Sequence, residues 1–155
     1  MKLDSETLNQ ESSRILQHGY YEKYLRLTPE ERTQQILAIQ ELLAEKHQLT
    51  SRQAELLVEL GNLYFTEQDC TKALASYDQV LKIKPDYYYA LFFRGTALDD
   101  LERYEQAVAY YDQALKFKPD DHDAWNNRRI ALVKLQWQKF TQAVTIFLQI
   151  ISFKR

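Results

Sequence analysis

The chain has 155 residues, which is about the size of a single domain. It holds 3 Gly and 3 Pro, far below the average usage of roughly 7% and 5%, and sheet proteins need many turns of that chemistry, so the composition favours helices. The 20 Lys and Arg against 22 Asp and Glu give a net charge of -2, which argues against nucleic acid or an anionic membrane as a partner.

The cysteine content and the start of the chain bear on the compartment. Cys70 is the only cysteine, so the chain cannot form an internal disulfide. The first residues lack the order of basic, apolar and small residues that marks a signal peptide, and no apolar run approaches the roughly 18 residues of a membrane span. We therefore expect a protein of the reducing cytoplasm that has no membrane partner.

The first third of the chain, residues 1–53, is predicted to form helices ahead of a repeat region. Apolar residues spaced three or four apart favour a helix over about residues 4–26. The next helix begins near Thr28, which serves as N-cap, with Pro29 in the first turn and Glu31 closing a capping box.

The origin of this region has two interpretations. Ile39 and Leu43 lie 34 residues before Ala73 and Tyr77, which is the spacing expected of a decayed repeat. Terminal units of repeat proteins are usually atypical, however, and this favours N-terminal capping helices.

From residue 54 onward the sequence repeats with a period of 34, the distance from Gly61 to Gly95 and from Pro85 to Pro119. Each unit predicts two helices joined by a short polar turn. The small residues Gly61 and Ala73 lie where the two helices must approach closely, and Pro85 ends the second helix. The pattern therefore predicts antiparallel helix hairpins.

Residues 122–155 form a third, altered unit. Arg129 stands at the place of the glycine of the first two units, and the alanine and aromatic pair comes two residues late, at Ala143 and Phe147. We therefore predict a third hairpin that is more widely splayed, with a longer turn around residues 136–139.

These positions resemble the tetratricopeptide repeat (TPR) family. The spacing typical of the family is matched by Leu57, Gly61, Tyr64, Ala73, Tyr77 and Pro85. The resemblance implies an all-α fold, a right-handed α-solenoid of antiparallel helix hairpins. Its three repeats would span 54–87, 88–121 and 122–155, after N-terminal capping helices in 1–53.

No motif for catalysis, cofactor binding or metal binding stands out. His18, His47 and His122 lie far apart, and the 3 Gly cannot form a phosphate-binding loop. The acidic stretch at 120–123 could bind a cation, but Asp at this inter-repeat turn more often caps the next helix. We therefore expect no catalytic residue, no metal and no cofactor, and no enzyme activity.

Cys70 and the 11 tyrosines have structural interpretations as well. Cys70 lies in the turn of the first unit without a nearby His, which favours a half-buried packing thiol over a nucleophile. Tyrosines such as those at 87–89 could stack on bases, but the chain lacks the basic groove of such proteins, and most of them occupy packing positions.

The resemblance implies that the first helices of the hairpins line a concave groove that binds a partner peptide or helix. Twelve residues would contribute to this groove: Glu55, Val58, Asn62, Phe65, Tyr89, Phe92, Thr96, Asp99, Asp100, Asp123, Asn126 and Ile130. The four acids outnumber Lys134, which suits a ligand with apolar anchors and Lys or Arg. Alternatively, Phe65 and Phe92 pack between hairpins.

The resemblance also bears on one class of ligand. Some TPR domains grip the C-terminal carboxylate of chaperone tails with Lys, Asn and Arg side chains. The corresponding places here read Val58, Asn62, Phe93, Asp123 and Asn127. Only Asn62 is retained, so we expect acidic tails not to bind.

Two functions follow from the sequence. The first is a non-enzymatic adaptor or assembly factor, a scaffold that binds a partner protein in the groove. The alternative is a self-associating structural subunit. No further polar helix follows the apolar residues Phe147, Ile151 and Phe153, and solenoids need such caps for solubility, so these residues would form a homodimer contact.

Overall fold

The computed structural model describes residues 22–44 and 50–153, and every regular element in those ranges is an α-helix. The helices are α1 (Glu22–Leu25), α2 (Pro29–Ala44), α3 (Thr50–Thr66), α4 (Cys70–Ile83), α5 (Tyr88–Asp100), α6 (Tyr104–Phe117) and α7 (His122–Phe153). Helices α3 and α4 form one hairpin, α5 and α6 form the next, and α7 packs on α6. The predicted all-α solenoid is confirmed.

The N-terminal region is described from Glu22 onward. Most of the helix predicted over 4–26 lies outside the described residues, and α1 covers only its end. The predicted capping box is confirmed, since the Glu31 amide donates to Thr28 Oγ1 at 3.2 Å and the Thr28 amide donates to Glu31 Oε2 at 2.7 Å. Arg32 then forms an ion pair with Glu67, which ties α2 to the end of α3.

Each hairpin is closed by a tyrosine that packs on a glycine. A Cβ atom placed on Gly61 would collide with the Tyr77 ring, and one on Gly95 would lie 2.8 Å from the Tyr111 ring. The Tyr77 hydroxyl donates to Asn62 Oδ1 at 2.7 Å, and the Tyr111 hydroxyl donates to Thr96 Oγ1 at 3.4 Å. Only glycine admits a ring this close to a helix backbone, which explains the residue type at these positions.

The turn inside each hairpin requires a residue in the left-handed backbone region. Gln68 has a φ of 62° and Glu102 a φ of 58°, and both positions lack the glycine that would adopt this conformation without strain. Packing of the two helices against each other must therefore offset the strain of the turn.

The third unit is a single helix, and the prediction of a hairpin with a turn around 136–139 is wrong. Helix α7 runs for 32 residues without a Gly or Pro to end it. Arg129 replaces the glycine against which a tyrosine could pack, so nothing offsets a left-handed residue at Gln136, one period after Glu102. Among the helices of the described ranges, none is both long and apolar enough to cross a membrane.

Ion pairs repeat with the same period between successive units. Arg94 on α5 pairs with Asp78 on α4, and Arg128 on α7 pairs with Asp112 on α6. Each arginine thus holds the first helix of one unit against the second helix of the unit before it. The first half of α7 is therefore docked like the first helix of a third repeat.

Candidate functional site

A cavity of about 510 Å³ opens between α1, α3 and the start of α5. Apolar and aromatic side chains form most of one wall, including Val58, Tyr87, Tyr89 and Phe93. The other residues that line the cavity are mainly charged or polar and come from α1 and α3: Lys23, Tyr24, Arg52, Glu55, Leu56, Glu59 and Asn62. This mixture of an apolar surface and a few polar groups is typical of a ligand pocket.

Four of the predicted groove residues meet at this cavity, namely Glu55, Val58, Asn62 and Tyr89. Phe93 joins them, and its ring stacks on Tyr89 with centroids 6.2 Å apart. The predicted groove set contained Phe92, one position away, whereas Phe93 stood only among the places that correspond to the carboxylate-gripping residues. Which of the two rings faces the cavity depends on the rotation of α5 about its axis, and sequence periodicity defines that rotation only loosely.

Seven residues of the cavity were absent from the predicted groove set, and three of them come from α1 or the first turn of α3. Lys23 Nζ lies 3.0 Å from Glu59 Oε1, and Tyr24 is buried beside it. Arg52 stands at the start of α3. No sequence signal could have identified Lys23 or Tyr24, since only the packing of α1 on α3 places them here.

Phe65 and Phe92 are buried, with 7% and 4% of their surface exposed. Phe92 contacts the rings of Tyr88 and Tyr111, each with centroids 6.0 Å away. The structure therefore supports the alternative in which these two phenylalanines pack between helices. Neither ring lines the cavity.

Asn62, Thr96 and Ile130 are also buried, and Thr96 and Ile130 do not line the cavity. Asn62 and Thr96 accept the hydroxyl hydrogen bonds that close the two hairpins. Asn126 is half-buried and accepts a hydrogen bond from Arg129 at 2.9 Å. Of these four side chains, Asn62 alone lines the cavity.

Asp99 is not an acid of the groove rim, contrary to the sequence prediction. It is 8% exposed, and its Oδ2 lies 2.6 Å from Nζ of Lys134, which is equally buried. Burial raises the pKa of Asp99, and the Lys134 charge opposes that shift. The other oxygen of Asp99, Oδ1, is buried without a hydrogen-bond partner.

The charge of the groove is consequently more balanced than predicted. Glu55 and Asp100 are exposed and Asp123 is half-buried, so three of the four predicted acids remain accessible. Lys134 forms an ion pair with Asp99, while Lys23 and Arg52 add positive charge beside the cavity. The remaining accessible acids are therefore spread along the groove, with Asp123 at the start of α7 and Asp100 at the C-terminal end of α5.

Cys70 and Asp121 have structural roles. Burial, together with the carboxylates of Asp100 and Asp69, raises the pKa of Cys70 to about 11, so its thiol stays protonated at neutral pH. Asp121 caps α7 by accepting from the Ala124 amide at 3.0 Å. Among residues 22–44 and 50–153, no cluster of three His, Cys, Asp or Glu side chains is arranged to bind a metal ion. His18 and His47 lie outside those ranges.

The three residues predicted to mediate self-association lie on the second half of α7. Phe147, Ile151 and Phe153 are 62%, 44% and 96% exposed. Every side chain from Lys139 to Phe153 is exposed, because this half of α7 extends past the last contacts with α6. The surface is thus open to a further contact.

Residues 58–128 match the model of the tetratricopeptide repeat family. This segment carries tetratricopeptide repeats. A TPR repeat-containing protein of Schizosaccharomyces pombe is 36% identical over 75 residues, which are 48% of this chain and 9% of that protein. The chain therefore spans only a small part of this relative.

Solved TPR domains share the fold. The first TPR domain of human RPAP3 covers 85% of this chain and 92% of its own length, with a TM-score of 0.57 and 18% identity. The first TPR of Spaghetti (RPAP3), bound to the HSP90 peptide SRMEEVD, covers 88% and 98% with a TM-score of 0.59 and 18% identity. The C-terminal TPR-containing domain of a Plasmodium falciparum FK506-binding protein covers 86% and 89% with a TM-score of 0.63 and 17% identity.

Proposed function

We propose that this TPR protein is a non-enzymatic adaptor or assembly factor of the cytoplasm that binds a partner peptide or helix along α3, α5 and the first half of α7. The observation that carries the proposal is the cavity of about 510 Å³ with its aromatic wall of Tyr87, Tyr89 and Phe93. An open apolar cavity beside polar groups suits an anchor side chain of a ligand. The chain has a single cysteine and so no internal disulfide, which supports a reducing compartment such as the cytoplasm.

The ligand we propose has an aromatic or aliphatic anchor and nearby Lys or Arg. The anchor enters the cavity, and the basic side chains lie toward Asp100 and Asp123. Acidic chaperone tails do not fit this arrangement. Val58 and Phe93 stand where other TPR domains have polar residues that grip the C-terminal carboxylate. Asn62 already accepts a hydrogen bond from Tyr77.

Fluorescence anisotropy with two matched peptide libraries tests the proposal. One library places Lys or Arg beside Phe or Leu, the other replaces each base with Glu, and the acidic peptide SRMEEVD serves as a third probe. We expect binding of the basic library only, weakening as salt rises because exposed charges are screened. Tight binding of SRMEEVD, or equal binding of both libraries, would contradict the proposal.

Variants locate the contact on the surface. Tyr89→Ala removes a half-buried ring from the cavity and should weaken binding, whereas Phe117→Ala, an exposed ring outside the cavity, should leave binding unchanged. Asp100→Asn with Asp123→Asn should reduce both the affinity and its salt dependence. Asp86→Asn, an exposed acid of an inter-repeat turn, is the matched control.

A second candidate function is self-association through α7, and the exposure of Phe147, Ile151 and Phe153 favours it. Soluble monomers seldom leave a large apolar patch open, so we propose that two copies cover this surface for one another. Sedimentation of the wild type against Phe147→Glu tests this, with a dimer expected only for the wild type. A wild type that stays monomeric at high concentration would contradict it.

A further inference from the structure

The second half of α7 has the sequence of the second helix of a repeat. A shift of 36 residues aligns it with α6, pairing Gln106 with Gln142, Ala107 with Ala143, Val108 with Val144, Tyr111 with Phe147, Gln113 with Gln149 and Phe117 with Phe153. The four residues of α6 that are buried correspond to apolar residues of α7, which are Ala143, Phe147, Ile150 and Ile151. This segment is therefore suited to pack on the first helix of a repeat.

The structure leaves both faces of that expected contact uncovered. Leu91 on α5 is 2% exposed, but its counterpart Trp125 on α7 is 49% exposed. Likewise Tyr111 is 1% exposed, but its counterpart Phe147 is 62% exposed. The first half of α7 lacks its second helix, and the second half lacks a first helix on which to pack.

The two halves cannot supply these contacts to one another within a straight helix. Arg129 occupies the place of Gly95, which packs on Tyr111, so the equivalent contact would join Arg129 and Phe147. These two residues are 18 positions apart on one continuous helix, or about 27 Å along its axis. The missing contact must therefore come from another helix.

We infer that two copies of this chain exchange the second halves of α7, so that each copy completes the third repeat of the other. This inference rests on the self-association proposed above and specifies its geometry. The two α7 helices lie antiparallel, and Phe147 of each copy packs beside Arg129 of the other. A two-fold axis near Gln138, midway between those positions, makes both contacts at once and closes the dimer.

The chemistry of α7 suits contact between identical chains. Residues 140–153 carry no charged side chain, so two copies meet without like-charge repulsion. Seven large exposed side chains lie within one wide arc of the helix: Trp125, Trp137, Phe140, Val144, Phe147, Ile150 and Ile151. Each is about half exposed and offers on the order of 100 Å². The two copies would thus bury roughly 1,400 Å², within the range of stable interfaces.

Arg129 determines how closely the exchanged helices approach. Glycine at the equivalent positions lets a tyrosine ring contact the backbone, whereas Arg129 requires a wider separation. Its guanidinium can then lie over the ring of the partner's Phe147 as a cation–π contact. The exchanged pair is thus more widely spaced than the first two hairpins.

Disulfide trapping tests the exchange. In a Cys70→Ser background, Arg129→Cys combined with Phe147→Cys should give a covalent dimer under mild oxidation, seen on a non-reducing gel. A disulfide needs Cα atoms about 4.4 to 6.8 Å apart, so the two positions cannot be joined within one straight helix. Arg129→Cys or Phe147→Cys alone should give no specific dimer, because each lies far from its own copy across the axis.

The other outcomes overturn the exchange in distinguishable ways. An intramolecular disulfide would show that the third hairpin closes within one chain. A wild-type dimer by sedimentation without disulfide trapping would leave self-association standing but place it on another surface. A wild-type monomer without trapping would contradict both proposals.

A second variant keeps the test informative if the new cysteines weaken the contact. Inserting Gly-Asn-Gly after Gln136 allows the chain to reverse, so each copy can cover its own α7. We expect this insertion to convert the dimer into a monomer with unchanged helix content. A dimer that persists with the insertion would contradict the exchange.

Discussion

The first two hairpins and α7 start from the same repeat pattern and reach different structures. In each hairpin a glycine admits a tyrosine ring, and a residue with positive φ reverses the chain, as at Gln68 and Glu102. In α7 the glycine is replaced by Arg129, and the chain continues as a helix through Gln136. A repeat hairpin therefore depends on two features together, a close helix contact and a strained turn that this contact offsets.

Loss of the buried ion pair between Lys134 of α7 and Asp99 of α5 should have the largest effect on stability. Lys134→Met leaves Asp99 charged, buried and unpaired, and we expect the free energy of unfolding to fall by about 3 to 5 kcal/mol in urea denaturation. Adding Asp99→Asn should restore most of that loss. Lys139→Met removes an exposed partner of Glu105 and should change stability by less than about 0.5 kcal/mol. Equal effects of the two lysine substitutions would show that the buried pair does not anchor α7.

Substitution at the glycine position should destabilise a hairpin much more than substitution at the equivalent position of α7. Gly61→Ala places a Cβ atom against the Tyr77 ring, which is fully buried and held by Asn62, so we expect a loss of about 1 to 3 kcal/mol. Arg129→Ala at the equivalent place on α7, where no ring of the same chain packs, should change the stability of the monomeric chain by less than about 0.5 kcal/mol. Chemical denaturation of both variants measures the difference. A tolerated alanine at Gly61 would remove the close contact as the reason for the hairpin.

The buried ion pair also predicts a dependence on pH. Burial raises the pKa of Asp99 above its ordinary value of 3.8, so the folded state holds this proton more tightly than the unfolded chain does. Its contribution to stability is complete below about pH 4 and is lost as the pH rises through the raised pKa. Without the opposing Lys134 charge that pKa rises further, and each added unit corresponds to about 1.4 kcal/mol.

The deficit of Lys134→Met relative to the wild type should therefore grow between pH 4 and pH 7. Denaturation at several pH values measures this trend. The Asp99→Asn, Lys134→Met double variant, which lacks the Asp99 carboxyl group, should show no such growth of its deficit as the pH rises. A deficit of Lys134→Met that is independent of pH would contradict the role assigned to Asp99.

Glycine at the turn positions should have effects of opposite sign in the two regions. Gln68→Gly relieves a positive φ and should raise the free energy of unfolding by about 1 kcal/mol. Gln136→Gly, two periods later in the interior of α7, should lower it by about 1 kcal/mol. Thermal or urea denaturation compares the two. Stabilisation by both substitutions would indicate that α7 also prefers to turn at this point.

The ion pairs between successive units should have the smallest effects. Asp112→Asn removes the partner of Arg128, which is 28% exposed, and should reduce stability by about 0.2 to 1 kcal/mol, less at high salt. Glu105→Gln removes a partner of Lys139 that is 78% exposed and should have no measurable effect. Measurements at two salt concentrations separate the variants. Equal effects of the two substitutions would show that the Arg128–Asp112 pair does not stabilise the docked half of α7 more than the exposed Lys139–Glu105 pair does.

The sequence by itself determined the local structure and the repeat. The period of 34, the capping box at Thr28 and the paired glycines depend on short-range spacing, so they predicted the helices and both complete hairpins. Phe147, Ile151 and Phe153, which the sequence pattern assigned to self-association, are exposed on α7. These features follow from residue types at neighbouring positions on a helix.

The tertiary structure decided the features that depend on contacts between distant segments. Asp99 became a buried partner of Lys134, Phe93 rather than Phe92 faced the cavity, and α1 brought Lys23 beside it. Helix α7 is continuous because a strained turn at Gln136 would need a second helix packed closely enough to offset it. Whether two helix faces fit together depends on residues far apart in the sequence. Rotation of a helix by one residue, or one missing contact, is enough to move a side chain from solvent to core.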